Sequence, residues 1–193
     1  MAYQGRVHII GDLAQEKSKK IVDLIPKSKI VYRGIRRPLW FKIEFEDTHE
    51  EKEYLSKIAS FYNERVADEE ILIAHGTQSS SSLCQILLDG NLKHIKDIIN
   101  YGNLGIFEGD IALGGYAYWD HGWGVFVANL KTIQQNCLAR SEKENYLIVP
   151  LNELKGILLP TQIVDIVKEE FPDYRNLIKG YRQFAEELRQ TPP

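Results

Sequence analysis

The feature that most constrains this chain is the stretch 71–90. Ile71, Leu72, Ile73 and Ala74 lead into His75, Gly76 and Thr77, a serine run reaches Ser82, and Leu83, Ile86 and Leu87 precede Gly90. A short apolar, partly β-branched run predicts a buried strand. Gly76 lets the backbone bend, and the serines are suited to accept hydrogen bonds from the first N–H groups of a helix. Leu83, Ile86 and Leu87 stand at i, i+3 and i+4, one face of that helix, and Gly90 falls where a helix end favours a left-handed residue. Such a strand–turn–helix leaves His75, Thr77 and a row of hydroxyls where a strand end can meet a ligand. Taken alone it describes an ordinary capped connection equally well.

The rest of the chain supplies elements for this centre to pack against. Val7 to Ile10 predicts a short strand, and residues 13–25 an amphipathic helix ended by Pro26. A strand is expected over 29–35. Over 40–46 the alternation of Phe41, Ile43 and Phe45 with charged residues predicts a strand covered on one side. Thr48 with Glu51 has the spacing of a capping box, opening a helix with Leu55, Ile58, Ala59 and Tyr62 inward. Ile95, Ile98 and Ile99 predict a helix over 93–101. A strand is expected over 124–130, a short helix over 131–139 and a strand over 145–151. Pro160 suits a first helical position, with Ile163, Ile166 and Val167 as the core face. From Tyr174 to Leu188 the apolar residues keep a helical period. The expected architecture is one α+β domain over 1–193, with a core at 29–151 and a helical C-terminal flank at 152–193.

Between Gly102 and Gly124 the chain is rich in both glycine and large rings, including Tyr116, Tyr118, Trp119 and Trp123. Twisted strands with aromatic packing, or a ligand- or partner-facing loop, would each explain that combination.

Composition closes several alternatives. A chain of 193 residues supports one substantial core, and a net charge of −3 gives no indication of nucleic-acid binding. The two cysteines, Cys84 and Cys137, fall in apolar helical patterns, as buried thiols of a reducing compartment do. No secretory signal and no apolar run long enough for a bilayer is visible, so a soluble cytoplasmic protein with no membrane partner is expected. Delivery into another cell would leave no mark in such a sequence. His8 and Asp12 suggest the first strand of a metallophosphoesterase, but Leu13 and Ala14 stand where the second histidine is needed, and no metal is expected.

Three pieces then stand in order: Tyr32-Arg33-Gly34, His75-Gly76-Thr77 with its serines, and Glu142-Lys143-Glu144 running into Asn145, Tyr146, Leu147 and Ile148. In this order the sequence resembles the ADP-ribosyltransferase superfamily over about 29–151. The resemblance implies a split mixed or antiparallel sheet clasping NAD as substrate. In the arginine–serine–glutamate branch, favoured here, Arg33 would hold the NAD phosphates, the Thr77 and Ser79 hydroxyls would shape the nicotinamide pocket, and Glu142 and Glu144 would be the catalytic pair. The His–Tyr–Glu branch is echoed too. His75, Gly76 and Thr77 are similar to its His-Gly-Ser/Thr strand, and residues 124–128 to its Gly-Ile-Tyr-Phe-Ala strand, with Phe126 in place of the tyrosine.

The chemistry suits those residue types. Cleavage of the nicotinamide–ribose bond passes through an oxocarbenium-like cation, which a carboxylate such as Glu144 stabilises. Glu142 could take a proton from the incoming nucleophile. The Arg33 fork matches a pyrophosphate, and Tyr116 or Phe126 could stack on nicotinamide. Singly, each has an ordinary reading: a salt-bridged arginine, a structural histidine, a solvated charged turn. The expected function is NAD-dependent mono-ADP-ribosyl transfer to a macromolecular acceptor, most simply a protein. The alternatives are an NAD glycohydrolase using the same residues and a non-catalytic nucleotide- or protein-binding module.

Overall fold

A computed structural model describes residues 10–27, 30–37, 40–77, 79–97, 124–139 and 144–191. Helix α1 (Asp12–Leu24) buries Ala14, Ser18 and Ile21, the spacing of one helical face. Strands β1 (Ile30–Arg37) and β2 (Trp40–Phe45) form an antiparallel hairpin, and α2 (Thr48–Asn63) follows. Strand β3 (Leu72–Thr77) and helix α3 (Ser80–Asp89) realise the pattern at 71–90. Ser79 caps α3 by accepting from Ser82 N, and Gly90 ends it with a left-handed φ of 69°. Then come β4 (Asn91–Asp97), β5 (Gly124–Asn129), α4 (Leu130–Gln135), β6 (Cys137–Ala139) and β7 (Glu144–Pro150). The chain continues through β8 (Gly156–Leu159), α5 (Thr161–Glu170), β9 (Ile178–Gly180) and α6 (Tyr181–Gln190).

The α+β class expected from the sequence is what the chain adopts. Among the described residues a four-stranded mixed sheet runs β3-β5-β8-β9, antiparallel except for the parallel pair β8–β9, which α5 connects. A three-stranded antiparallel sheet runs β4-β7-β6. The four-stranded sheet is buried on both faces. Ile73, Phe126, Ala128, Ile157 and Leu159 join one core with residues of α1, α3 and α5, among them Ile21, Leu83 and Ile163. Leu72, Ala74, Val125, Val127 and Leu158 join a second core with Leu55 and Ala59 of α2 and Tyr181 and Phe184 of α6. Burial on both sides is why β5 reads as an unbroken apolar run rather than an alternating one.

Several local expectations are overturned, some of them by contacts distant in sequence. Residues 93–97 are not helical: they belong to β4, paired rung by rung with β7 from Asn91↔Pro150 to Asp97↔Glu144. The helix expected over 131–139 stops at Gln135. Asn136 donates its side-chain amide to Thr132 O at 2.9 Å and to Glu153 Oε2 at 2.7 Å, and Cys137 then starts a strand. The C-terminal part ends in a helix as expected, and it also supplies β8 and β9, which complete the same sheet that holds β3 and β5. Pro160 is the N-cap of α5 rather than its first helical residue. Thr48 and Glu51 do not form a capping box. Thr48 Oγ1 accepts from Phe45 N at 3.3 Å, while the Glu51 carboxylate reaches across to Thr161 of α5. The strand expected at 7–10 and the Gly/aromatic stretch 102–123 lie outside the described residues, apart from Ile10.

Candidate functional site

The end of β3 gathers three of the residues singled out by sequence, His75, Gly76 and Thr77. Register sets His75 opposite Phe126, Gly76 opposite Val125 and Thr77 opposite Gly124. Cross-strand partners share a face, so His75, Thr77 and Phe126 lie on the side of the sheet that α3 covers. Thr77 is only 4% exposed, and its hydroxyl has no hydrogen-bond partner among the described residues. An orphaned buried hydroxyl costs about 1–3 kcal/mol unless something bonds it. Gly124 is closely approached: a Cβ there would lie 2.8 Å from Leu159 Cδ2, the far end of a side chain, and 3.4 Å from Leu158 O, so a larger residue would need Leu159 to shift.

The outer edge of β3 is equally specific. Leu130 N donates to Ile71 O at 2.9 Å, so residue 71 bonds toward the β5 side, and in an antiparallel ladder Ile73, His75 and Thr77 do the same. Leu72, Ala74 and Gly76 then turn N–H and C=O outward, and no described strand pairs with that edge. At Leu72 the edge is taken by the last residue of α2. Leu72 N donates to Asn63 Oδ1 at 2.9 Å, and Asn63 Nδ2 donates back to Leu72 O at 3.5 Å. A side-chain carboxamide thus occupies both backbone groups of one extended residue. Gly76, half-buried, turns the same two groups to that side farther along the strand, where no strand among the described residues meets them.

Removing that carboxamide has a readable consequence. Asn63→Ala leaves the buried Leu72 N–H without its partner, at an expected cost of about 1–3 kcal/mol. Native-state hydrogen exchange should find the Leu72 amide far less protected in the variant. Unchanged exchange at Leu72 would mean that Asn63 does not hold the edge.

The other predicted residues are spread over the fold. Ser79 has its hydroxyl committed to the helix cap, accepting from Ser82 N at 3.1 Å and donating to Ser82 Oγ at 2.8 Å. Ser80 is likewise engaged, with Ser18 of α1 at 2.5 Å. Phe126 is 1% exposed inside the core, so its ring is spent on packing and is not presented as the stacking face expected of it. Arg33 lies on β1, opposite Ile43, in the separate hairpin. Glu144 opens β7 directly opposite Asp97, in the three-stranded sheet. Glu142 and Tyr116 lie outside the described residues. The structure therefore brings His75, Gly76 and Thr77 together, whereas Arg33 and Glu144 come from two other sheets.

Sequence reasoning missed Asn63 and the true role of Glu51. No motif announces a side-chain amide seated on a strand edge. Cys84 is inert by position: burial pushes its thiol up to about 12, far from the thiolate form that reacts. Among the described residues no cluster of His, Cys, Asp and Glu is arranged to hold a metal ion, and no helix is long and apolar enough to cross a membrane. Comparison with protein-family models, curated proteins and solved structures gives no match to this chain.

Proposed function

We propose that the chain is an NAD-dependent mono-ADP-ribosyltransferase whose nicotinamide subsite is the outer edge of β3 at Gly76. The observation that carries the reading is the outward pair of backbone groups on Gly76, beside the buried hydroxyl of Thr77, which has no partner among the described residues. A primary carboxamide presents one donor and one acceptor side by side, the complement of the N–H and C=O of one extended residue. Asn63 makes that same contact at Leu72. Nicotinamide carries such a carboxamide. A peptide adding as a strand would need several consecutive rungs, and Asn63 already blocks the one at Leu72. The edge therefore favours a small amide over a protein segment.

In this reading the N-glycosidic bond to ribose breaks, nicotinamide leaves as a neutral molecule, and Glu144 stabilises the ribosyl cation. The acceptor's nucleophile bonds to the ribose carbon and gives up its proton to a carboxylate, the role read for Glu142. Arg33 supplies the fork for the pyrophosphate, and His75 and Thr77 supply polar groups at the ribose end.

Incubating the protein with adenine-labelled NAD and a cell lysate tests the reading. Label on a macromolecule supports transfer, whereas free ADP-ribose without labelled acceptor identifies a glycohydrolase using the same site. Binding of NAD without turnover identifies a binding module, and no binding removes the proposal. Calorimetric titration of folded variants separates the two residue sets. With a charged fork on pyrophosphate worth roughly 1.5–3 kcal/mol, Arg33→Ala is expected to weaken NAD binding by about ten- to a hundredfold and more than His75→Ala does. A silent Arg33→Ala beside a damaging His75→Ala would place the nucleotide on the His–Tyr–Glu arrangement instead.

A further inference from the structure

Glu51 is a carboxylate in an unusual position. It lies near the start of α2, 9% exposed, and its two oxygens accept from the Thr161 hydroxyl at 2.9 and 3.0 Å, with the Thr161 backbone N–H a second, weaker donor. Among the described residues it forms no salt bridge. Two neutral donors from one residue are poor compensation for a charge withdrawn from water. Gly180 packs close beside Thr161, where an added Cβ would meet Oγ1 at 3.0 Å. The carboxylate thus sits at a junction of α2, the first residue of α5 and the β9–α6 corner.

We propose that Glu51 is a proton-linked joint between α2 and the α5–α6 layer, one that takes up a proton as the medium turns acid and is most stable in that form. Burial is the largest influence on the carboxyl and raises its pKa, and Asp47 at the N-cap of α2 adds to the effect. The Thr161 hydroxyl and backbone N–H, at the start of α5, and the charge of Arg182 on α6 act the other way and are outweighed. Lys52 of α2 sets its ammonium 5.5 Å from the ring centre of Tyr181, and that phenol is pushed up by its own burial and by the charge of Glu51. On β9, Lys179 is engaged with Glu187. The helix that carries this joint also carries Asn63, which holds the edge of β3 at its other end.

The sign follows from the direction of the shift. The folded chain holds the Glu51 proton more tightly than the unfolded chain does. The stability this confers is fully present below the titration range of an unfolded glutamate and is lost as pH rises through the folded value. Glu51→Gln keeps the shape and is neutral throughout. Its thermal midpoint should exceed the parent's at pH 7, and the gap should close once the pH falls below the titration range of an unfolded glutamate. A gap that stays constant with pH, or a variant less stable than the parent at pH 7, overturns the proposal. If the variant does not fold, the side-chain carboxyl carbon of Glu51 is titrated by NMR in the parent. A midpoint above the ordinary glutamate value of about 4.3 supports the joint, and one at or below it refutes it.

Discussion

Glu144→Gln is expected to lower turnover of NAD by a factor on the order of a hundred or more while leaving NAD affinity nearly unchanged. The amide keeps the size of the side chain and removes its charge. That charge matters only as the ribose becomes cationic, so its loss should appear in kcat and not in ground-state binding. If Glu144 served only as a strand residue opposite Asp97 of β4, Glu144→Gln would leave turnover intact. Parental activity in a variant that still binds NAD would take Glu144 out of the mechanism.

Phe126→Ala should be the most damaging substitution for stability among the residues first considered for the site. The ring is 1% exposed and packed in the larger core with Ile73, Leu83 and Leu159 as fellow members. Truncating a buried phenylalanine costs about 3–5 kcal/mol, because the transfer energy is lost and a cavity remains. For a chain of this size that is a fall in thermal midpoint of roughly 6–20 °C. Phe126→Leu, which refills most of the volume, should recover much of the loss. Were the ring instead a stacking face for a ligand, Phe126→Ala would weaken binding and scarcely move the midpoint.

The parts of this fold that were legible in the sequence are those whose cause is local. The capped helix after β3 could be read because Ser79, the apolar spacing of Leu83, Ile86 and Leu87, and Gly90 each act within a turn or so of chain. The strand at 124–129 could be read because burial on both faces leaves an unbroken apolar run. What misled was spacing whose meaning is decided elsewhere. Ile95 belongs to a helical-looking pattern, yet its rung opposite Tyr146 makes it a strand residue. Gly156 to Leu159 is too short an apolar run to tell strand from loop without knowing that β5 needs a neighbour there. Glu51 has the right spacing from Thr48 for a capping box, and only the folded chain shows that its partner is Thr161, 110 residues on. The candidate site divides the same way. His75, Gly76 and Thr77 were visible because they interrupt an apolar strand, whereas Asn63 was not, since its importance rests on the Leu72 backbone it meets in space.

The placement of β8 and β9 sets the order in which this chain becomes safe from its neighbours. In the finished sheet β5 is flanked by β3 and β8, and β9 lies beyond. On the ribosome β3 and β5 emerge first and can pair, because both belong to one antiparallel ladder. The second side of β5, carrying Val125 and Val127, then waits for residues 156–159. Closure beyond that is slower still: β8 and β9 run parallel, so no hairpin joins them and α5 must form and cross over before Ile178 reaches Ile157. Until that crossover closes, the nascent chain presents an unguarded apolar strand edge to every other copy being made nearby. Completion of this sheet thus waits on residues 156–180, which lie far along the chain from the β3–β5 pair they cover.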